Sequence, residues 1–134
     1  MKLTIPLDPT GLSLNRLGGK RWKLYQLKTE WSEAVQWIAQ SKHNRLPFKH
    51  PTITYTAYFR TRHLRDEDNF SLIKKFCNDG LTRAGVISDD NSQAIDLRPL
   101  VFDYSKKPRV EIEIVESTNT SSPNIGSKTN SGKA

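Results

Sequence analysis

Six of the chain's fourteen acidic residues fall within one stretch, "RDEDNFSLIKKFCNDGLTRAGVISDDNS", running from Arg65 to Ser92: Asp66, Glu67, Asp68, Asp79, Asp89 and Asp90. Asp66 and Asp68 stand two apart, and read as extended backbone they project their side chains the same way. Asp89 and Asp90 are adjacent and should point apart, so one of them at most serves as a direct ligand. Two ionised carboxylates about 4 Å apart repel by roughly 4 kcal/mol at an effective dielectric near 20. Such a set calls for a cation or for raised pKa values. Carboxylates without clustered His or Cys select a hard ion, Mg²⁺ or Mn²⁺, which keeps several waters and bridges to a substrate phosphate. A helical pattern separates the two pairs. For them to meet, the second loop has to fold back toward the helix start, or another chain has to supply the second pair. The competing account needs no ligand: Asp68 or Asn69 caps the helix, Asp66 and Glu67 complement its dipole, and "DDNS" is a polar turn.

Cations surround the acids. Arg60, Arg62 and Arg65 lead into them, and Lys74 and Lys75 follow. A metal flanked by lysine and arginine suits phosphodiester hydrolysis, because the cations neutralise charge that grows on the phosphate. Other chemistries are disfavoured. A calcium EF-hand would need Asp or Asn where Phe70 stands and glycine where Ser71 stands. Gly18-Gly19-Lys20 lacks the spacing and the following Ser or Thr of a P-loop. Ser88 has no evident activating partner. His43, His50 and His63 are scattered over polar segments; His63 lies near Asp66 and could act as a base, against the simpler reading of a solvent-facing loop residue.

The chain carries 21 Lys and Arg, a formal net charge of +7 and a pI near 9.7, so an anionic partner is expected. Aromatics interleaved with charge, as in "GGKRWK", favour nucleic acid over a membrane surface. The single cysteine, Cys77, excludes an internal disulfide or a Cys-based zinc site and suits a reducing compartment. "MKLTIPLDPTG" lacks the apolar run of a signal peptide and no stretch reads as membrane-spanning, so a cytoplasmic location is expected.

The elements that position these residues follow from periodicity. "LTIPL" reads as a first strand, ended by the turn cluster "DPTG". "SLNRLGGKRWK" reads as a basic loop. From about Leu27 to Lys42, Trp31, Ala34, Val35 and Ile38 form a helical stripe. "TITYTAYF" alternates Ile53, Tyr55, Ala57 and Phe59 against Thr52, Thr54, Thr56 and Tyr58, the pattern of a half-buried strand. A second helix is expected from about Asn69 to Ala84, with Phe70, Ile73, Phe76, Cys77, Leu81 and Ala84 as its stripe and Gly85 as a left-handed cap. "AIDLRPLVFDY" and "RVEIEIVE" read as strands, with Pro99 marking an edge or bulge. The order β-α-β-α-β-β predicts an α+β domain over 1–116, a small mixed sheet with two helices on one face. Residues 117–134, rich in Ser, Asn, Gly and Thr, are expected to be a disordered polar tail. Trp31 is expected in the core and Trp37, off the stripe, at a dimer contact.

Taken together, "RDEDN", "KKFCNDGL", "AGVI" and "DDNSQ" resemble the RusA family of Holliday-junction resolvases. "IPLDPTGLSLNR" is similar to that family's proline-containing first strand and its Ser, Asn and Arg turn, so the likeness covers most of the folded part. The resemblance implies a RusA-like fold, a homodimer, and Mg²⁺ (or Mn²⁺ as substitute) for paired nicks across a four-way or branched DNA substrate. It makes Asp66, Asp68 and Asp90 the metal-holding catalytic acids, with Asp89, Asp79 and Asn69 in support. Lys75 matches the catalytic lysine when aligned from Asp79. The stretch from Asn69 to Lys75 is a few residues longer than in the family, which leaves Lys74 as the alternative. Lys20, Arg21, Lys23, Arg60, Arg62, Arg65 and Lys74 would contact backbone phosphates. Trp22 could stack on an unpaired base at the crossover, or pack in the core. Two other functions compete: a catalytically weak branched-DNA binding protein using the same basic face, and a plain basic nucleic-acid-binding domain whose acids are only caps.

Overall fold

The architecture is built around Thr52–Phe59, β2, whose β-branched and aromatic residues alternate as a pleated strand requires. A computed structural model describes residues 1–116; the expected tail, 117–134, lies outside the described residues. Ile53, Tyr55, Ala57 and Phe59 have no exposed area, while their alternates stay partly exposed. β5 (Arg109–Val115) runs antiparallel beside β2 and sets Ile114 opposite Ile53, Ile112 opposite Tyr55 and Val110 opposite Ala57. β1 (Lys2–Ile5) pairs antiparallel with β5, bringing Leu3 and Ile5 to the same buried face.

On the other side of β2 lie two short parallel partners, β3 (Asp96–Leu97) and β4 (Val101–Tyr104). The single strand expected over "AIDLRPLVFDY" is thus two pieces split around Pro99, which has no N–H to give a ladder. The result is a five-stranded mixed sheet in the order β1-β5-β2-β3, with β4 also on β2. This is the expected α+β class, with three α-helices rather than two among the described residues.

The additional helix is α1 (Leu14–Leu17), capped by the Ser13 hydroxyl and ended by Gly18 at φ +56. After Gly19, α2 (Arg21–Lys42) starts about two turns before the expected Leu27. Leu27, Trp31, Val35 and Ala39 form its buried stripe. α3 (Ser71–Arg83) follows a 3₁₀ turn at Asp68–Phe70. Gly85, at φ +78, ends α3 as expected: its N–H bonds to the Thr82 carbonyl and that of Val86 to the Leu81 carbonyl, with Leu81 and Val86 both buried.

α3 lies on the buried face, where the Tyr55 hydroxyl donates to the Asn78 side-chain oxygen. α2 packs on α3 so closely that a Cβ on Gly80 would sit 2.6 Å from the Ser32 carbonyl oxygen. The opposite face of the sheet is polar. There Glu111 accepts from Arg109 at 2.9 Å and from the Tyr58 hydroxyl at 3.4 Å. Among the described residues no helix is long and apolar enough to cross a membrane.

β2 fixes the two ends of the molecule. Its C-terminal end leads into the loop 60–70 and the start of α3. α3 returns to the other end, where the 84–95 segment connects to β3 beside the first residues of β2.

Candidate functional site

At the C-terminal end of β2 the chain turns sharply, and Arg65 holds that turn. Its guanidinium donates to the Thr61 carbonyl at 3.0 Å, the His63 carbonyl at 3.1 Å and the Thr61 hydroxyl at 3.3 Å. It also lies 3.8 Å from the centre of the Phe59 ring. Partial burial pulls its pKa down, against the opposing pull of Asp8. Three of the five guanidinium N–H donors of Arg65, the residue expected on DNA phosphate, are thus engaged within its own loop. Arg60 and Arg62 are exposed beside it, and Arg62 stacks 4.5 Å over the Tyr104 ring.

The acids come next. Asp66 and Asp68 are both exposed, but the segment is not extended as the spacing suggested. The Asp66 Oδ1 accepts the Asp68 N–H at 3.1 Å, and Asp68 opens the 3₁₀ turn. This side-chain hydrogen bond to the backbone two residues on is the local alternative that Asp offers to a strand. It places the Asp66 carboxylate beside the start of the Asp68 residue, so the two acids share one turn.

Between them, Glu67 receives Lys74 Nζ at 2.6 Å, and that hydrogen bond holds its carboxyl below the usual range. Lys74 is therefore the lysine that reaches the acidic turn, while Lys75 is exposed on the next position of α3. A single residue step, about 100° of rotation around the helix, separates the alternatives that the sequence leaves open. In the sequence Glu67 reads only as a complement to the helix dipole, and the signal for the pair is its seven-residue spacing to Lys74 across the helix start.

Asn69 joins the two ends of the "SLNR…DEDN" likeness. Its Nδ2 donates to the Ser13 hydroxyl and its Oδ1 accepts the Asn15 N–H, both at 2.9 Å. α1 is thereby set against the acidic turn. Lys20, Arg21 and Lys23 occupy the N-terminal end of α2, which has no acid in its first turn and no side-chain cap. Cations there oppose the helix dipole. Trp22, with 66% of its area exposed, is not a core residue, and Tyr25, at 72%, joins it. Trp31 is in the core and Trp37 is exposed.

The other acids lie elsewhere. Asp79 pairs with Arg83 at 3.5 Å along the surface of α3. Asp89 is absorbed by its own turn, accepting the Asp90 N–H at 2.7 Å and the Asn91 side-chain amide at 3.1 Å. That leaves Asp90, exposed like Asp89, as the acid of the pair not engaged in this turn. It lines a cavity of about 350 Å³ with His50, Ser92, Ile95, Asp96 and Leu97, at the start of β2 and β3. From there its charge adds to burial and to Cys77 in raising the pKa of the Tyr55 hydroxyl. His50 occupies a left-handed backbone conformation, φ 47, and its Nε2 lies 3.2 Å from the Ser92 carbonyl.

Asp90 and the Asp66–Asp68 turn thus lie toward opposite ends of β2. Six residue steps from Ile53 to Phe59 span about 20 Å. Among the described residues no group of three or more His, Cys, Asp or Glu side chains is gathered as a metal site. Asp66 and Asp68 remain able to contribute to one that is completed by water, phosphate or another chain. Mg²⁺ characteristically takes only one or two carboxylates and fills its other positions with water and substrate phosphate, which suits this donor set.

No protein-family model matches the chain, and no curated protein matches it.

Proposed function

We propose that this protein is a metal-dependent, structure-selective endodeoxyribonuclease of the RusA type, a homodimer that resolves four-way DNA junctions by paired symmetric nicks. The observation that carries this reading is the exposed Asp66–Asp68 turn, with Lys74 ion-paired at its centre and cations on both flanks. A protein that only gripped phosphate would gain nothing from acids in the middle of its basic end, because they repel the ligand.

Asp66 and Asp68 would hold Mg²⁺, or Mn²⁺ in its place. A hard cation there supplies Lewis-acid neutralisation of the scissile phosphate. Lys74, released from Glu67 or shared with it, would stabilise charge growing on the phosphate oxygens. Arg60, Arg62 and the Lys20–Lys23 end of α2 would grip neighbouring phosphates. Such contacts set register and carry little base information.

The third acid, Asp90, lies toward the other end of β2, a strand about 20 Å long between Ile53 and Phe59, which favours a second copy as its source. A two-fold dimer with two such shared sites places one on each of two symmetry-related strands, matching the symmetry of a four-way junction. One observation favours the alternative of a catalytically weak branched-DNA binder: within one chain the three acids are not gathered.

Cleavage of a labelled synthetic four-way junction decides between them, run beside a linear duplex of the same sequence with Mg²⁺ or with chelator. Symmetric nicks in the junction alone, dependent on Mg²⁺, are the expected result. Tight binding without nicks under either metal would replace the nuclease with the binding protein.

A further inference from the structure

Leu64 has 104% of its reference area exposed, the largest value among the described hydrophobic side chains. A leucine held fully in water forfeits the free energy that burying it would bring. A slack loop would fold such a side chain down. This loop is fastened: Arg65 bonds to Thr61 and His63 on the near side of Leu64, and Arg62 stacks on Tyr104. The fastenings hold the leucine out. Asp66, the first acid of the candidate site, follows two residues later.

We propose that Leu64 is a wedge that enters between base steps of DNA at a branch point, beside the acidic turn. The inference rests on the nuclease reading and adds to it the means by which a branch is recognised, since arginine–phosphate contacts alone would grip any duplex. An apolar side chain driven between base steps, with cations on the flanking phosphates, is an established way for proteins to kink DNA. Unstacking costs least where stacking is already interrupted, so the wedge favours a branch over a continuous duplex.

A second copy of the chain is the poorer occupant of this tip. Arg60, Thr61, Arg62, His63 and Arg65 flank Leu64 in the loop, and the hollow that Leu64 lines adds only Phe102 and Tyr104 as apolar neighbours, with Arg62 stacked on Tyr104, so the apolar area is small. A stable protein interface buries about 800 Å² on each partner. Arg60 and Arg62 also complement phosphate, and they would repel their own copies across a two-fold contact.

The test uses the full chain with chelator present, so that nothing is cut. A four-way junction and a matching linear duplex each carry 2-aminopurine, a base whose fluorescence rises on unstacking, at the step flanking the branch. Wild-type protein is expected to raise the junction signal severalfold. L64S is expected to bind the linear duplex as wild type does and to melt at the same temperature, because a fully exposed side chain has no packing to lose. It should give no fluorescence rise, and its preference for junction over duplex should fall about tenfold, equivalent to roughly 1.4 kcal/mol. L64F should retain both properties. A full fluorescence rise with L64S, or wild-type binding without any rise, overturns the wedge and leaves the nuclease reading standing. Failure of wild-type protein to bind the junction overturns both.

Discussion

Asp68→Asn and Asp90→Asn proteins, each unable to cleave alone, are expected to restore nicking when allowed to exchange subunits. Six residue steps of β2 put about 20 Å between the strand ends toward which these two acids lie. Ligands of one Mg²⁺ stand about 2.1 Å from it, so their oxygens lie within about 4 Å of one another. Acids that far apart in one chain would not share one ion, whereas two chains related by a two-fold axis could bring them together. In a mixed dimer one site then carries both substitutions and the other carries neither. Equal amounts associating at random make about half the dimers mixed, so about a quarter of all sites are intact. Nicking of a labelled junction should therefore recover to about a quarter of the wild-type rate. Paired nicks should stay absent, since each mixed dimer has a single working site. Differently tagged subunits show that mixed dimers have formed. Mixed dimers with no nicking above either parent would refute the shared site. So would substantial cleavage by Asp68→Asn alone, which is expected to bind junctions as well as wild type or better, having lost a negative charge.

Lys74→Ala should lower cleavage by roughly 10²-fold or more, while Lys75→Ala, at an exposed position with no partner among the described residues, should stay close to wild type; single-turnover rates compare the two, and the reverse ranking would make Lys75 the catalytic lysine. Gly80→Ala introduces a Cβ 2.6 Å from both the Ser32 carbonyl oxygen and the Val35 Cβ, an overpacking cost of roughly 1–3 kcal/mol set against about 1 kcal/mol of improved helix propensity. A lowered Tm is expected, and an unchanged or raised Tm would mean that α2 and α3 separate freely. Acid should destabilise the fold through two carboxyls. Glu67 is held below its ordinary value by the Lys74 hydrogen bond, and at Glu111 the hydrogen bonds and charges of Arg109 and Lys2 outweigh a burial effect that by itself would raise it. A depressed folded-state pKa contributes stability above the unfolded value, about 4.3 for Glu, and that stability is lost as pH falls through the folded value. Thermal melts from pH 7 to 3 should show Tm falling below about pH 4.3, and Glu111→Gln should fall less steeply; an identical slope would remove the Arg109–Glu111 pair from the account.

Periodicity determined most of the fold, because burial acts on residues one at a time. The alternation of Ile53, Tyr55, Ala57 and Phe59 gave a strand with one dry face, and Gly85 marked the end of α3, each through a rule local to a few residues. Charge and residue type likewise identified the acidic stretch and its cationic neighbours. Where local hydrogen bonding or a proline competed with pattern, the local chemistry prevailed, and only the structure showed it. Asp66 folded onto the Asp68 N–H and made a turn of what spacing read as extended backbone. Pro99 divided one apparent strand into two. α2 reached back to Arg21 and took in a segment whose charge had suggested a loop, because Leu27 and Trp31 anchor the helix on α3 and the sheet while its first turns extend beyond them. The choice between Lys74 and Lys75 required knowing which side of α3 faces Glu67. That Arg65 is occupied by its own loop, that Leu64 stands clear of it, and that Asp90 lies toward the far end of β2 from Asp66 are facts of spatial proximity. A one-dimensional spacing does not contain them, since a strand and a helix running in opposite directions can bring residues together or hold them apart with the same number of residues between.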